Sequence, residues 1–195
     1  MIKNKNKGDL LITCIVFVCV LVFCFDFLKL QKSMTSYELS IEDIKRLGGL
    51  YKGHFFPNIV ISTFSHVSLN HLISNMIGVI LYGKVIEKKY SWKEMLTIFL
   101  LGSLIGSVAS YFLEPKVVSM GASGGLLAWV GMVVGVIDIK DVLKWRNLFL
   151  LFLFTAPLLS TFVSERINQV AHLGGFLVGF LSVLVIVFLH SAKEK

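Results

Sequence analysis

Charge is scarce in this chain. Asp, Glu, Lys and Arg make up 16% of its 195 residues, against about 25% in an average soluble domain. The hydrophobic share is 55% and the mean hydropathy is +0.79. The excess lies in long uncharged runs, and a run of roughly 20 apolar residues crosses a bilayer. A soluble globular domain is thereby excluded, and the chain reads as an integral membrane protein. Cysteine is also rare. Cys14, Cys19 and Cys24 all fall in the first apolar run, where a thiol behaves as a small apolar group, so a disulfide framework or a cysteine metal site is not expected. No small-x-small cleavage site follows that run, which is too long for the apolar core of a secretory signal and reads as a first membrane helix. Once the spans are placed, no room is left for a second domain.

Six spans can be placed, at about 10–28, 66–86, 95–113, 121–137, 147–163 and 171–190, forming one all-α, polytopic membrane domain over residues 1–195. Pro157 is expected to kink the fifth. Asp26, near the end of the first span, is expected at the membrane interface. The longest loop, 29–65, contains Ser40-Ile41-Glu42-Asp43, a pattern resembling a capping box, so a short helix over Ser40 to Leu47 is predicted, ended by Gly48-Gly49. Leu50-Tyr51, Phe55-Phe56 and Ile59-Val60-Ile61 are too apolar for a free loop and are expected to pack on the bundle or dip into the interface.

The formal net charge of +7 would suggest nucleic acid as a partner for a soluble protein. Here the basic residues cluster in alternate loops, which is an orientation signal instead. With the N-terminus inside, the cytoplasmic segments hold Lys3, Lys5, Lys7, Lys84, Lys88, Lys89, Lys93, Lys140, Lys144, Arg146, Lys193 and Lys195, twelve of the nineteen basic residues. The short outer loops hold only Lys116 and Arg166. Both termini are therefore expected in the cytoplasm, with the lipid bilayer as partner and no nucleic acid.

In this orientation helices two, four and six all begin on the outer side, and there they carry His71 and Asn75, Ser123, and His172. Polar side chains at membrane depth are costly and mark function. Ser123 lies about 14 residues above Ile137, or ~21 Å at 1.5 Å per residue. In a hydrocarbon core about 30 Å thick that is roughly 10 Å below the outer surface. Gly121-Ala122-Ser123-Gly124-Gly125 leaves almost no bulk around the serine hydroxyl. The helix that follows points its free N–H groups and positive dipole end at the same spot. His172 can serve as general base and acid. Gly175 and Gly179 share its helix face, so that face can meet Gly124-Gly125 closely enough to bring His172 to Ser123. His71 and Asn75, four residues apart, point the same way and can donate, with the Ser123 N–H, to an oxyanion. No carboxylate stands where it could orient His172, so a dyad fits better than a triad. Each element has an ordinary alternative: Gly and Ser pack membrane helices, and His and Asn bond helices together. His66 reads as a supporting or interfacial residue, His54 as a loop residue and His190 as lying at the cytoplasmic end, far from the site. His71 and His172 alone do not make a zinc site, since no carboxylate or cysteine completes three protein ligands. No metal or organic cofactor is expected.

His71-x-x-x-Asn75, Gly121-Ala122-Ser123-Gly124 and Ala171-His172-x-x-Gly175-x-x-x-Gly179 together resemble the rhomboid family of intramembrane serine proteases, in its six-helix bacterial form. The likeness extends from about His66 to His190. It implies a six-helix rhomboid-like bundle that cleaves single-pass transmembrane proteins within or beside the membrane. By the same resemblance Ser123 is the nucleophile, His172 the base, and His71, Asn75 and the Ser123 amide the oxyanion stabilisers. Gly121, Gly124, Gly125, Gly175 and Gly179 would support helix packing. The loop 29–65 resembles the family's partly embedded first loop, and helix five its mobile lateral gate. Two features depart from the family. Leu127 stands where an aromatic often packs on the histidine, and the first loop has Leu50-Tyr51-Lys52 in place of a Trp-Arg pair.

Two other classes compete with a peptidase. A catalytically silent, client-binding rhomboid-like protein would normally have lost the serine or the histidine, and both are here. A transporter or channel would show an inverted repeat, a helix broken at its middle or a full polar pathway, and the chain has none of these. The compact layout and inner lysines suit a bacterial plasma membrane, with the site facing outward. The orientation is testable with alkaline phosphatase fusions: one after Lys116 is expected to be active and one after Lys88 inactive, and the reverse pattern would overturn it.

Overall fold

The computed structural model describes residues 5–30, 39–114, 116–135 and 168–193. The predicted fifth helix with Pro157, the inner charges Lys140, Lys144 and Arg146, and the outer Arg166 lie outside the described residues. The described chain is all-helical, as expected of a polytopic membrane protein. Its helices are α1 (Lys5–Leu30), α2 (Ile41–Arg46), α3 (Asn58–Phe64), α4 (Leu69–Ile86), α5 (Trp92–Leu113), α6 (Ser123–Gly135) and α7 (Gln169–Lys193). Among the described residues four helices, α1, α4, α5 and α7, are long and apolar enough to cross a membrane, and the apolar α6 is shorter.

Caps explain where these helices begin. Ser40 accepts from the Asp43 N–H at 3.2 Å while Asp43 accepts from the Ser40 N–H at 3.1 Å, a reciprocal box that starts α2. Ser91 and Glu94 do the same for α5, so this helix begins three residues ahead of the predicted Met95. The expected helix 66–86 is corrected. Ser68 is extended and accepts from the His71 N–H at 3.2 Å, so α4 starts at Leu69 and His66 lies in the turn before it. A further helix, α3, occupies Asn58–Phe64, within what the sequence suggests is loop. Among the described residues two isolated bridges are the extended pairings, Leu50 with Ser119 and Tyr51 with His54.

α6 is apolar on every side, and a helix of that kind must be surrounded. Its run Leu126 to Met132 is buried throughout, and it packs against α4, α5 and α7. Trp129, fully buried, donates its indole N–H to the Met95 carbonyl at 3.0 Å and stacks obliquely on Phe99. α1 lies outside this group with Cys19, Phe23 and Phe27 turned inward. Its N-terminal end is tied to α4, where Lys84 pairs with Asp9 and, at 3.4 Å, with Glu87. Asp26, near the end of α1, is buried within the bundle at 4% exposure, beside Ser65.

Small residues let α6 and α7 touch backbone to backbone. A Cβ on Gly179 would run into the Ala128 carbonyl, one on Gly175 into the Gly124 carbonyl, and one on Gly131 into the Phe176 carbonyl. In lipid, where apolar side chains gain nothing by exchanging lipid for one another, such close approach is a main source of helix association. Gly179→Leu is expected to cost at least about 3 kcal/mol in detergent unfolding, the upper end for overpacking a core. The lipid-side control Leu181→Ala, at a residue 53% exposed, should stay within about 0.5 kcal/mol.

Candidate active site

The N-termini of α4, α6 and α7 meet at one end of the bundle. Ser123 is the first residue of α6, and His172 is in the first turn of α7. The imidazole Nε2 of His172 lies 2.6 Å from the Ser123 Oγ. With the ring proton on Nδ1, Nε2 accepts the hydroxyl hydrogen. Among the described residues no group meets Nδ1, which is buried. Among the described residues the pair is thus a serine and a histidine in direct contact with no carboxylate behind them.

The glycines before and after Ser123 do different work. Gly121 lies outside any helix seam. Its φ of +141° falls in the region side chains avoid, and a Cβ there would stand 2.6 Å from the His71 Cε1. Its N–H donates to the Ser62 carbonyl at 2.7 Å. The packing role expected for Gly121 is therefore corrected: only hydrogen fits between this loop and the His71 ring. Gly124 meets α7 at Gly175 and α5 at Ser103. Gly125 faces α5 instead, against Phe99 and Ser103, so of the glycine pair only Gly124 reaches the histidine helix. Leu127 is buried in the core.

His71 is in the first turn of α4, with its ring against Gly121. Asn75, one turn on, is buried and donates from Nδ2 to the His71 carbonyl at 2.9 Å. One of its two amide hydrogens is thus committed to the helix backbone. His66 is fully buried with its ring edge-on to His71, centroids 5.2 Å apart. It packs behind His71 from the turn before α4. His54 lies in the turn closed on Tyr51, away from this cluster. Among the described residues no three His, Cys, Asp or Glu side chains gather as a metal would require.

A family model described as the Rhomboid domain matches residues 54–188. The chain belongs to the rhomboid family. The matched stretch contains all of His71, Asn75, Ser123 and His172. This rhomboid is 26% identical over 153 residues to Rhomboid-like protease 3 of Toxoplasma gondii, covering 74% of this chain and 58% of that protein. It is 27% identical over 125 residues to the putative rhomboid protease YdcA of Bacillus subtilis (strain 168), covering 60% and 63%. It is 29% identical over 149 residues to RHOMBOID-like protein 6, mitochondrial, of Arabidopsis thaliana, covering 72% and 48%. The chain thus spans about half to just under two thirds of the length of these relatives.

Sequence reasoning missed several polar groups that hold the site: Ser68 as the cap of α4, the Ser62 carbonyl under Gly121, and Asn168 at the head of α7. Ser68 and Asn168 carry a legible signal, since each is a capping residue just ahead of an apolar periodic run. The Ser62 carbonyl has none, because any residue supplies one. Gly121→Ala is expected to slow fluorophosphonate labelling of Ser123 at least tenfold and to lower stability by about 1–3 kcal/mol, the cost of a strained φ. Labelling at the wild-type rate would mean that the loop tolerates a side chain beside His71.

Proposed function

We propose that this rhomboid is an intramembrane serine endopeptidase that cuts single-pass transmembrane proteins in or near the outer half of the membrane. The observation that carries this reading is the 2.6 Å contact between the Ser123 Oγ and the His172 Nε2. The Ser123 oxygen attacks the scissile carbonyl as its proton passes to Nε2. The tetrahedral oxyanion is met by the Ser123 N–H at the start of α6, where the dipole end is positive, and by His71 and the free amide hydrogen of Asn75. Collapse breaks the C–N bond, and His172 returns the proton to the departing amine. Water then attacks the acyl-serine by the same route, giving the carboxylate product and restoring the hydroxyl. No step draws on a metal or an organic cofactor.

The setting belongs to the same reading. Six spans in one domain over 1–195, with both termini in the cytoplasm and the site facing outward, fit the alternating basic loops. A bacterial plasma membrane suits that charge pattern, although one relative is named as mitochondrial. A substrate segment must leave its helix to reach a serine at the head of a buried helix, so small and helix-weakening residues near the cut should favour cleavage.

In liposomes with a transmembrane reporter, Ser123→Ala and His172→Ala are each expected to reduce cleavage by at least about 10³-fold while still inserting, as loss of a nucleophile or its base does elsewhere. Replacing the glycines of the reporter with leucine should slow the wild-type enzyme. Cleavage near the wild-type rate by Ser123→Ala would remove that residue from the role. A correctly inserted wild type that neither cleaves nor takes a fluorophosphonate probe would favour the silent, client-binding alternative.

A further inference from the structure

A histidine acting as general base is normally oriented by a third group on its other ring nitrogen. Here the Nδ1 of His172 has no such partner among the described residues. Its backbone is held instead, because the first turn of α7 is fastened by a side-chain cap. Asn168, immediately before the helix, accepts the Ala171 N–H on its side-chain Oδ1 at 2.9 Å. Its main-chain carbonyl accepts the His172 N–H at 3.1 Å. Two consecutive N–H groups at the helix head, one of them the histidine's own, are therefore satisfied by one residue.

The same side chain reaches outward. The Asn168 Nδ2 donates at 2.7 Å to the Oγ of Ser110 on α5, a residue 2% exposed. One turn earlier on α5, Gly106 lies against Ala171, and its Cα would be 3.1 Å from a Cβ on Gly174. The turn bearing His172 is thus gripped by α5 at two levels, although α5 supplies no reacting group. α5 also packs along α6 below Ser123, through Gly102, Ser103 and Phe99. It is the common frame against which both members of the pair are placed.

We propose that Asn168 is the positioning residue for His172, locking the histidine's helical turn to α5 through Ser110. The proposal rests on the reading of Ser123 and His172 as a dyad. It concerns the aim of the base and not its chemistry, so it acts on the turnover step and leaves substrate contacts alone.

The test uses the full chain in liposomes, a fluorophosphonate probe, the transmembrane reporter, and ¹⁵N-labelled histidine. Asn168→Ala is expected to slow Ser123 labelling about tenfold, and Asn168→Asp to stay within about threefold of wild type. Aspartate keeps the cap acceptor and takes a hydrogen bond from the Ser110 hydroxyl in return. With the reporter the loss should fall on kcat with KM unchanged. Ser110→Ala leaves the cap intact and should slow labelling about threefold. Wild-type labelling in both alanine variants, or failure of aspartate to restore it in a folded protein, overturns the proposal. If Asn168→Ala does not insert, Ser110→Ala decides alone. A wild type that no probe labels overturns the dyad reading instead. The ring ¹⁵N resonances of His172 then judge Asn168: a shift in Asn168→Ala supports it, and unchanged resonances overturn it.

Discussion

Everything at the candidate site depends on one contact without side chains, the seating of Gly175 against the carbonyl of Gly124. Any Cβ at Gly175 would occupy the space of that oxygen. Three residues back from Gly175 is His172, and one residue back from Gly124 is Ser123. The contact therefore fixes the register of α7 along α6, and the register fixes the 2.6 Å separation of Oγ and Nε2. Below it Gly179 against Ala128 and Gly131 against Phe176 continue the same line. In a bilayer the helices gain little by burying apolar side chains, so packing of this kind carries much of the specificity. An interhelical hydrogen bond in a membrane contributes only about 0.6 kcal/mol on average, too little to align two helices by itself. The serine–histidine contact is thus a consequence of the seam.

The loops around the site follow a related constraint. Backbone groups buried in this region must find partners, and they find them in pairs that tie the approach to Ser123 to the first loop. Leu50 and Ser119 exchange two hydrogen bonds at 2.9 Å, and the Gly121 N–H is taken by Ser62. The Gly53 N–H donates to the Tyr111 hydroxyl at 3.2 Å, and Phe55 meets the edge of the same ring. The first loop therefore rests on the C-terminal end of α5 and on the segment leading to Ser123. Its buried apolar residues, Leu47, Leu50 and Ile59, account for an apolar content that a solvated loop would not tolerate.

Much of this was legible in the chain. Membrane helices announce themselves by length and apolar composition, and the capping box at Ser40 announces α2. The candidate site residues stood out because polar groups in apolar helices are costly. What was not legible follows from the same reasoning. Apolar periodicity from His66 onward looks continuous with α4, because a break is made by backbone dihedrals at Ser68 and costs no apolar residue. Asn58–Phe64 was hidden because seven residues carry too little periodicity. Nothing in the local pattern around Asp26 reveals that Ser65, thirty-nine residues away, lies beside it.

Composition and spacing determined by themselves that the protein lives in a membrane, that it is helical, and that four polar groups lie near the starts of three helices. These are one-dimensional properties, set by transfer free energies and by the 3.6-residue turn. The family to which the chain belongs was already legible in the spacing of its motifs. Only the tertiary structure decided which glycine meets which carbonyl, that Gly121 yields room to His71 and Gly125 turns to α5, and that α5 holds the histidine's turn through Asn168 and Ser110. Those are matters of tenths of an ångström between backbones far apart in the chain, and no local pattern of residues encodes them.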